Sequence, residues 1–156
     1  MAGSIDRVNL AARNAGLEIE IRRMGESTRT AQDAANQCGC TVGQIVKSLI
    51  FEGKDTGRLM LFLVSGDRQF DLTRAAALTG ENLKRADPRR IREETGFAIG
   101  GVSPLGHKIA IAAYADRTLL DHDVVWAAAG AHDAVFSAEP NALVRAASAV
   151  VADLAV

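Results

Sequence analysis

Residues 44–66 read QIVKSLIFEGKDTGRLMLFLVSG, two apolar runs on either side of a turn-rich hexapeptide. Runs of this length, rich in β-branched and aromatic residues and bounded by Gly and Asp, read as strands, and the spacing reads as a hairpin. From Leu59 to Val64 no residue is polar, which suits a central strand. A sheet therefore organises the chain, and the remaining segments are read for what covers it.

Ser4 to Ala15 has helical apolar spacing, with Ser4 as the expected N-cap and Gly16 as the stop. Leu17 to Ile21 alternates apolar and polar, which predicts a half-buried strand. Thr30 to Gln37 reads as a short helix stopped by Gly39. DLTRAAALTG reads as a helix capped by Asp71 and closed by Gly80, and Asp87-Pro88 caps another in RRIREETG. Short strands are expected at Lys108 to Tyr114, Asp123 to Ala127 and Ala134 to Phe136. A closing helix is expected over AEPNALVRAASAVVADL, capped near Glu139-Pro140. Strands outnumber crossover helices and do not alternate with them, so the expected class is α+β with a mixed sheet. No repeat or linker divides the chain, and residues 1–156 read as one domain.

Two features point to chemistry. Period two places Lys47 on one face of its strand with Ile45, Leu49 and Phe51. An unpaired buried ammonium is costly, so Lys47 either snorkels to water at the sheet's rim or is held for function. The second feature is GFAIGGVSPLGH, residues 96–107, with four glycines and one proline. Gly100 and Gly101 permit positive φ, and consecutive amides there can form a nest for an anion or oxyanion. The ordinary alternative is a tight turn. No Gly-Lys-Ser/Thr follows, and the adjacent glycines do not match G-x-G-x-x-G, so neither nucleotide fingerprint applies.

IVKSLIF, DLTRAAALTG, ADPRRIREETGFAIGGVSPLGH and VVWAAAGAHDAVF, in this order and spacing, resemble the YbaK/prolyl-tRNA-synthetase-associated domain family. The resemblance runs from about Glu18 to the last helix. It implies a mixed, partly barrel-like sheet flanked by helices, and hydrolysis of mischarged aminoacyl-tRNA. Lys47 matches the family's strand lysine, and Gly100 to Pro104 match its G-x-x-x-P loop, whose backbone faces the aminoacyl ester. The resemblance thus implies a catalytic set of Lys47, Gly100 and Gly101, with Val102, Ser103, Pro104, Ala128 and His132 binding substrate. His132 lies where some relatives use a histidine. Ala128 stands where cysteinyl-specific relatives carry a serine, a departure that argues against cysteine specificity.

An aminoacyl ester is already activated, so its hydrolysis needs a placed water and donors for the developing oxyanion. Backbone amides at Gly100 and Gly101 are the expected donors. Lys47 is expected to hold a terminal phosphate and position the ester rather than attack it. No Ser-His-Asp set is legible, and the family reading uses the substrate's own ribose hydroxyl to orient water. Alanine-rich walls suggest a small, mainly apolar amino acid. The expected partner is aminoacyl-tRNA, with tRNA(Pro) as the expected tRNA and prolyl-tRNA synthetase as a further candidate partner. No cofactor and no metal are expected. The competing function is a non-catalytic binder of an aminoacyl-adenosine-like ligand or of a synthetase.

Charge limits the partner classes. Lys plus Arg total 18 against 19 Asp plus Glu, a formal charge of -1, which argues against a dedicated duplex-DNA binder. Five cations at Lys84, Arg85, Arg89, Arg90 and Arg92 crowd into nine positions, and Arg22, Arg23 and Arg29 lie elsewhere. Arg89 and Arg90 are the expected tRNA contacts, against the plainer reading of a solvated helix face balanced by Glu93 and Glu94. Cys38 and Cys40 are too few for a disulfide framework and read as small residues at a helix end. Asp121-His122-Asp123 reads as a turn, and Trp126 reads as core. MAGSIDRVNL has no apolar targeting core and no later run approaches a membrane span, so a soluble, cytoplasmic protein is expected.

Overall fold

The computed structural model describes residues 3–26, 28 and 30–156. The chain begins with α1 (Ser4–Asn14), whose Val8 and Ala12 are buried. Gly3, not Ser4, is its cap, and Asp6 accepts from the Gly3 amide at 3.3 Å. β1 (Arg22–Arg23) and α2 (Ala31–Cys38) follow, then β2 (Val46–Gly53) and β3 (Leu59–Ser65), which pair antiparallel as the expected hairpin. After α3 (Leu72–Thr79), β4 (Leu83–Arg85) and α4 (Pro88–Thr95) come β5 (Ala112–Asp116), β6 (Val125–Ala128), β7 (Ala134–Ala138), α5 (Pro140–Ala146) and β8 (Val150–Ala152). Side chains of Thr30, Asp71, Asp87 and Glu139 cap α2 to α5 in turn, and left-handed Gly39, Gly80 and Gly96 close the first three of these.

Five strands form one sheet in the order β4-β2-β3-β5-β8, and β1-β7-β6 form another. The larger sheet is mixed: β2 pairs antiparallel with β3 and β4, while β3–β5 and β5–β8 are parallel. A parallel pair needs a long crossover. The crossover from β3 to β5 contains α3, β4, α4 and the whole glycine-rich loop. Among the described residues the sheets do not close into a barrel; a single parallel bridge, Ile45 to Trp126, links them.

One large apolar cluster joins Val46, Ile50, Leu61 and Leu63 of the hairpin to Val8, Phe97, Val102, Phe136 and Leu143. A smaller cluster under the opposite face contains Met60, Phe62, Ala75, Leu83 and Leu154. β3 is buried at every position, as an uninterrupted apolar run requires.

Several expectations are corrected. Leu17, Ile19 and Ile21 do pack against the core, but the pairing with β7 begins only at Arg22 and Arg23. Alternation reports a buried face; it does not supply a neighbouring strand. The expected closing helix ends at Ala146, Ser148 takes a positive φ of 52°, and the β-branched pair that follows joins β8. β5 starts at Ala112 rather than Lys108. β4 escaped notice because three residues, two of them charged, give no periodic signal. Trp126 is half-buried, with Arg22 stacked 5.3 Å from its ring centroid.

Phe62 is fully buried and packs against Phe51, Phe70 and Tyr114, with centroids 6.1, 5.0 and 5.3 Å away. Phe62→Ala is expected to lower unfolding free energy by about 3–5 kcal/mol in a denaturant titration.

Candidate functional site

The outer edge of β2 is only partly covered. β4 pairs with Phe51 to Gly53 and no further. The amides of Gly66 and Gly53 donate to Ile45 and Arg58 carbonyls across the hairpin at 2.7 and 3.0 Å. Those bonds place the backbone groups of the odd-numbered residues toward β3, so Ser48 directs its amide and carbonyl outward, where no strand among the described residues meets them. A cleft of about 490 Å³ opens along this edge, lined in part by Ile45, Lys47, Ser48, Gly100, Val102 and Ala128. A second lobe of about 330 Å³ continues past Ile50 and Phe51 to Arg85 and Ile91. Ser48, Leu49, Ile99, Gly100 and Val102 line both lobes and mark the waist between them.

Lys47 leaves β2 on the face it shares with Leu49 and Phe51, whereas Val102 packs with Val46 and Ile50 on the other. The open edge brings the two faces into one cleft. The Lys47 ammonium donates to the Arg68 carbonyl. Burial lowers its pKa, and the negative charge of Asp67 opposes that shift. The Oδ1 of Asp67 lies 3.0 Å from the buried Ser65 hydroxyl, whose one proton is shared between that carboxylate and the Gly43 carbonyl.

The glycine loop meets the cleft at its tip. The Gly101 amide donates to the Ala98 carbonyl at 3.0 Å, closing a turn in which Gly100 has a φ of 97°. Positive φ at that third position is what a type II turn demands. This corrects one expectation: the Gly101 amide is occupied by the turn, whereas among the described residues the Gly100 and Val102 amides have no acceptor. Gly101 is buried instead against Ala131, whose amide nitrogen would lie 3.0 Å from any Cβ placed there. Ser103 and Pro104 are buried beneath the tip and outside the lining. The Ser103 hydroxyl accepts from Leu105 at 3.2 Å, and its carbonyl lies 2.7 Å from His107 Nε2.

Of the residues singled out from sequence, the structure thus brings Lys47, Gly100, Val102 and Ala128 to one cleft. His132 does not line the cleft: its side chain is exposed, and its carbonyl accepts from the amide and hydroxyl of Thr28, which does line it, at 2.9 and 2.7 Å. Arg90 forms ion pairs with Glu52 and Glu94, whereas Arg89 is exposed, with no ion pair among the described residues. Arg29 lies outside the described residues. Burial pushes the Cys38 thiol up to about 11, so it stays protonated at neutral pH.

Sequence reasoning missed Ser48. Its hydroxyl oxygen is buried at the waist with no hydrogen-bond partner among the described residues. A hydroxyl between Val46 and Ile50 on the core-facing side of a strand was the available signal.

Comparison with known proteins agrees with this architecture. The family described as Aminoacyl-tRNA editing domain matches residues 25–146. A crystal structure of a candidate trans-editing enzyme for prolyl tRNA synthetase superimposes with a TM-score of 0.92 at 45% identity, covering 100% of this chain and 99% of that one. The uncharacterized protein YwhH of Bacillus subtilis (strain 168) is 28% identical over 126 residues, 81% of this chain and 80% of its own length. A proline–tRNA ligase of Thermosipho melanesiensis is 38% identical over 81 residues, 51% of this chain but 14% of the ligase.

Asp67→Asn removes the charge that opposes the burial shift on Lys47. A side-chain NMR titration is expected to place the Lys47 midpoint below that of an ordinary lysine in the native protein, and lower still in the variant. Because the folded pKa lies below the unfolded one, the unfolded chain binds more protons between them, so this group makes stability rise with pH across that window. An unmoved midpoint would show that Asp67 does not act on Lys47.

Proposed function

The chain belongs to the aminoacyl-tRNA editing domain family and is an aminoacyl-tRNA deacylase; on that premise we propose that it acts in trans on tRNA(Pro) carrying a small non-cognate amino acid. The observation that carries this reading is the shared cleft, in which Lys47 and the open Gly100 amide lie along one uncovered strand edge. The prolyl assignment is supported by the relatives, two of which are named for prolyl-tRNA synthetase function. A third, from Enterococcus faecalis, is 24% identical over 119 residues and named as a candidate Cys-tRNA(Pro)/Cys-tRNA(Cys) deacylase.

In this mechanism the 3′ end of the tRNA enters across the β2 edge. Lys47 releases the Arg68 carbonyl and holds a phosphate oxygen, which fixes the ester without covalent participation. The ester carbonyl points at the Gly100 and Val102 amides. Water, oriented by the free ribose hydroxyl of the terminal adenosine, adds to the carbonyl carbon, and the resulting oxyanion is held by the two amides. The acyl carbon–oxygen bond then breaks. The ribose oxygen leaves with a proton as a hydroxyl, and the amino acid departs as a carboxylate, its second proton going to solvent. This chemistry uses no metal or nucleotide cofactor.

Ala31, Ile45, Val102 and Ala128 give the larger lobe short apolar walls. Such a lobe accepts alanine or 2-aminobutyrate; of the hydroxyls that line it, Thr28 already donates to the His132 carbonyl and Thr30 accepts from the Asp33 amide, which leaves serine little beyond the Ser48 hydroxyl. One methylene in an apolar pocket changes discrimination by only about 1–3 kcal/mol, which is why a second site is needed to sort small amino acids.

Deacylation of Ala-, Cys-, Ser- and 2-aminobutyryl-tRNA(Pro) is expected to favour the alanyl and 2-aminobutyryl esters. Lys47→Ala is expected to lower kcat/KM by about 10²-fold. Binding without turnover on every ester would instead support the non-catalytic binder, and undiminished deacylation by Lys47→Ala would remove Lys47 from the mechanism.

Arg89 is the tRNA contact in this reading. Arg89→Ala is expected to reduce the slope of log affinity against log salt by about 1. Arg90→Ala is expected to act on stability instead, because it strips Glu52 and Glu94 of a shared partner. Equal salt slopes for native protein and Arg89→Ala would exclude that contact.

A further inference from the structure

Between Gly96 and Ala112 the chain has no helix or strand, so the shape of the glycine loop depends on what grips it from outside. The grip comes from α1. Arg7 Nη2 donates to the Gly96 carbonyl at 2.7 Å, and Arg7 Nε donates to the Gly106 carbonyl at 3.3 Å. One guanidinium therefore ties the start of the loop to its end. The Ser4 hydroxyl adds a bond to the Gly96 carbonyl at 3.2 Å, and the Arg7 guanidinium carbon lies 5.2 Å from the Phe97 ring centroid.

Backbone contact reinforces the clamp. A Cβ on Gly106 would sit 2.9 Å from the Arg7 carbonyl carbon, and one on Gly130 would sit 2.9 Å from that of Ser4. Gly130 belongs to the turn between β6 and β7, where Ala131 lies against Gly101. The first turns of α1 thus seat both the loop and the turn behind it. Neither Ser4 nor Arg7 lines the cleft.

We infer that Arg7 is a positioning residue for deacylation, holding the Gly100 and Val102 amides at a fixed place by bridging the two ends of the loop. The inference rests on the deacylase mechanism above for its consequence, but the clamp itself can be tested separately. A planar guanidinium can span two carbonyls with two nitrogens; an ammonium presents one. Displacement of reacting groups by about 1 Å costs on the order of 10²-fold in rate, so a loosened loop lowers kcat more than it alters binding.

The test compares Arg7→Met, Arg7→Lys and Val8→Ala, the last of which weakens α1 packing while leaving Arg7 in place. Single-turnover deacylation, KM, denaturant stability and hydrogen exchange of residues 97–105 are measured for each. Arg7→Met is expected to lower kcat at least about 10-fold, with KM within about twofold, and to speed loop exchange while the β2–β3 core keeps its protection. Arg7→Lys should fall between native and Arg7→Met, and it carries the test should Arg7→Met fail to fold. Val8→Ala should lose stability but keep kcat. Native kcat and loop exchange in both Arg7 variants would overturn the inference, as would an equal kcat loss in Val8→Ala. If the native protein hydrolyses no aminoacyl ester, the substrate reading fails, while loop exchange still decides the clamp.

Discussion

Parallel pairing of β3 with β5 governs the rest of the molecule. Antiparallel neighbours can be joined by a few residues, but a parallel neighbour obliges the chain to travel back along the sheet before it pairs. Here that return journey includes α3, β4, α4 and the glycine loop, and it passes the outer edge of β2. β4 covers the far end of that edge, the Ile45–Trp126 bridge touches the near end, and the stretch around Ser48 is left open. An open edge is ordinarily a liability, since it invites pairing with another chain. In this fold the loop roofs it without pairing to it, and the space between becomes the cleft.

The treatment of buried polar groups separates the site from its scaffold. Glu81 is buried but accepts from the Asp55 and Thr56 amides, both at 3.0 Å, and so closes the hairpin turn. Asp116 accepts from Leu154 and Ala155 at 2.8 and 3.1 Å and anchors the C-terminal segment. Asp133 pairs with Arg23 at 2.8 Å. These groups are satisfied, as interior polar atoms normally are. The Ser48 hydroxyl and His107 Nδ1 are the exceptions among the described residues, one at the cleft's waist and one bracing its loop. Burial lowers the His107 pKa, with the positive charge of Arg7 acting in the same direction and the bond to the Ser103 carbonyl opposing both; that carbonyl can only accept, so Nε2 carries the proton of the bond. The loop is therefore pinned by a histidine within and an arginine behind.

Conformational freedom in the loop is confined to places that need it. Gly100 supplies the positive φ of the turn, and Gly101 permits the approach of Ala131. Glycines in this segment thus serve two ends: a turn that frees neighbouring amides, and backbones packed too closely for side chains.

Much of the scaffold was legible in the sequence because it is set by contacts only a few residues long. The hairpin follows from two apolar runs and a turn. The ends of α2, α3 and α4 follow from Thr30, Asp71 and Asp87 and the glycines that close each helix. Lys47 and the glycine loop stood out because each violates the ordinary rule for its surroundings. What tertiary structure alone decided depends on residues far apart in the chain: which stretch of β2 stays open, that Val150–Ala152 pairs with β5, and that Arg90 is tied to Glu52 while Arg89 is exposed. Arg7 shows the reason most plainly. In sequence it is one more charge on an amphipathic helix; its partners lie 89 and 99 positions away, and no local pattern of side chains encodes a bond across that span.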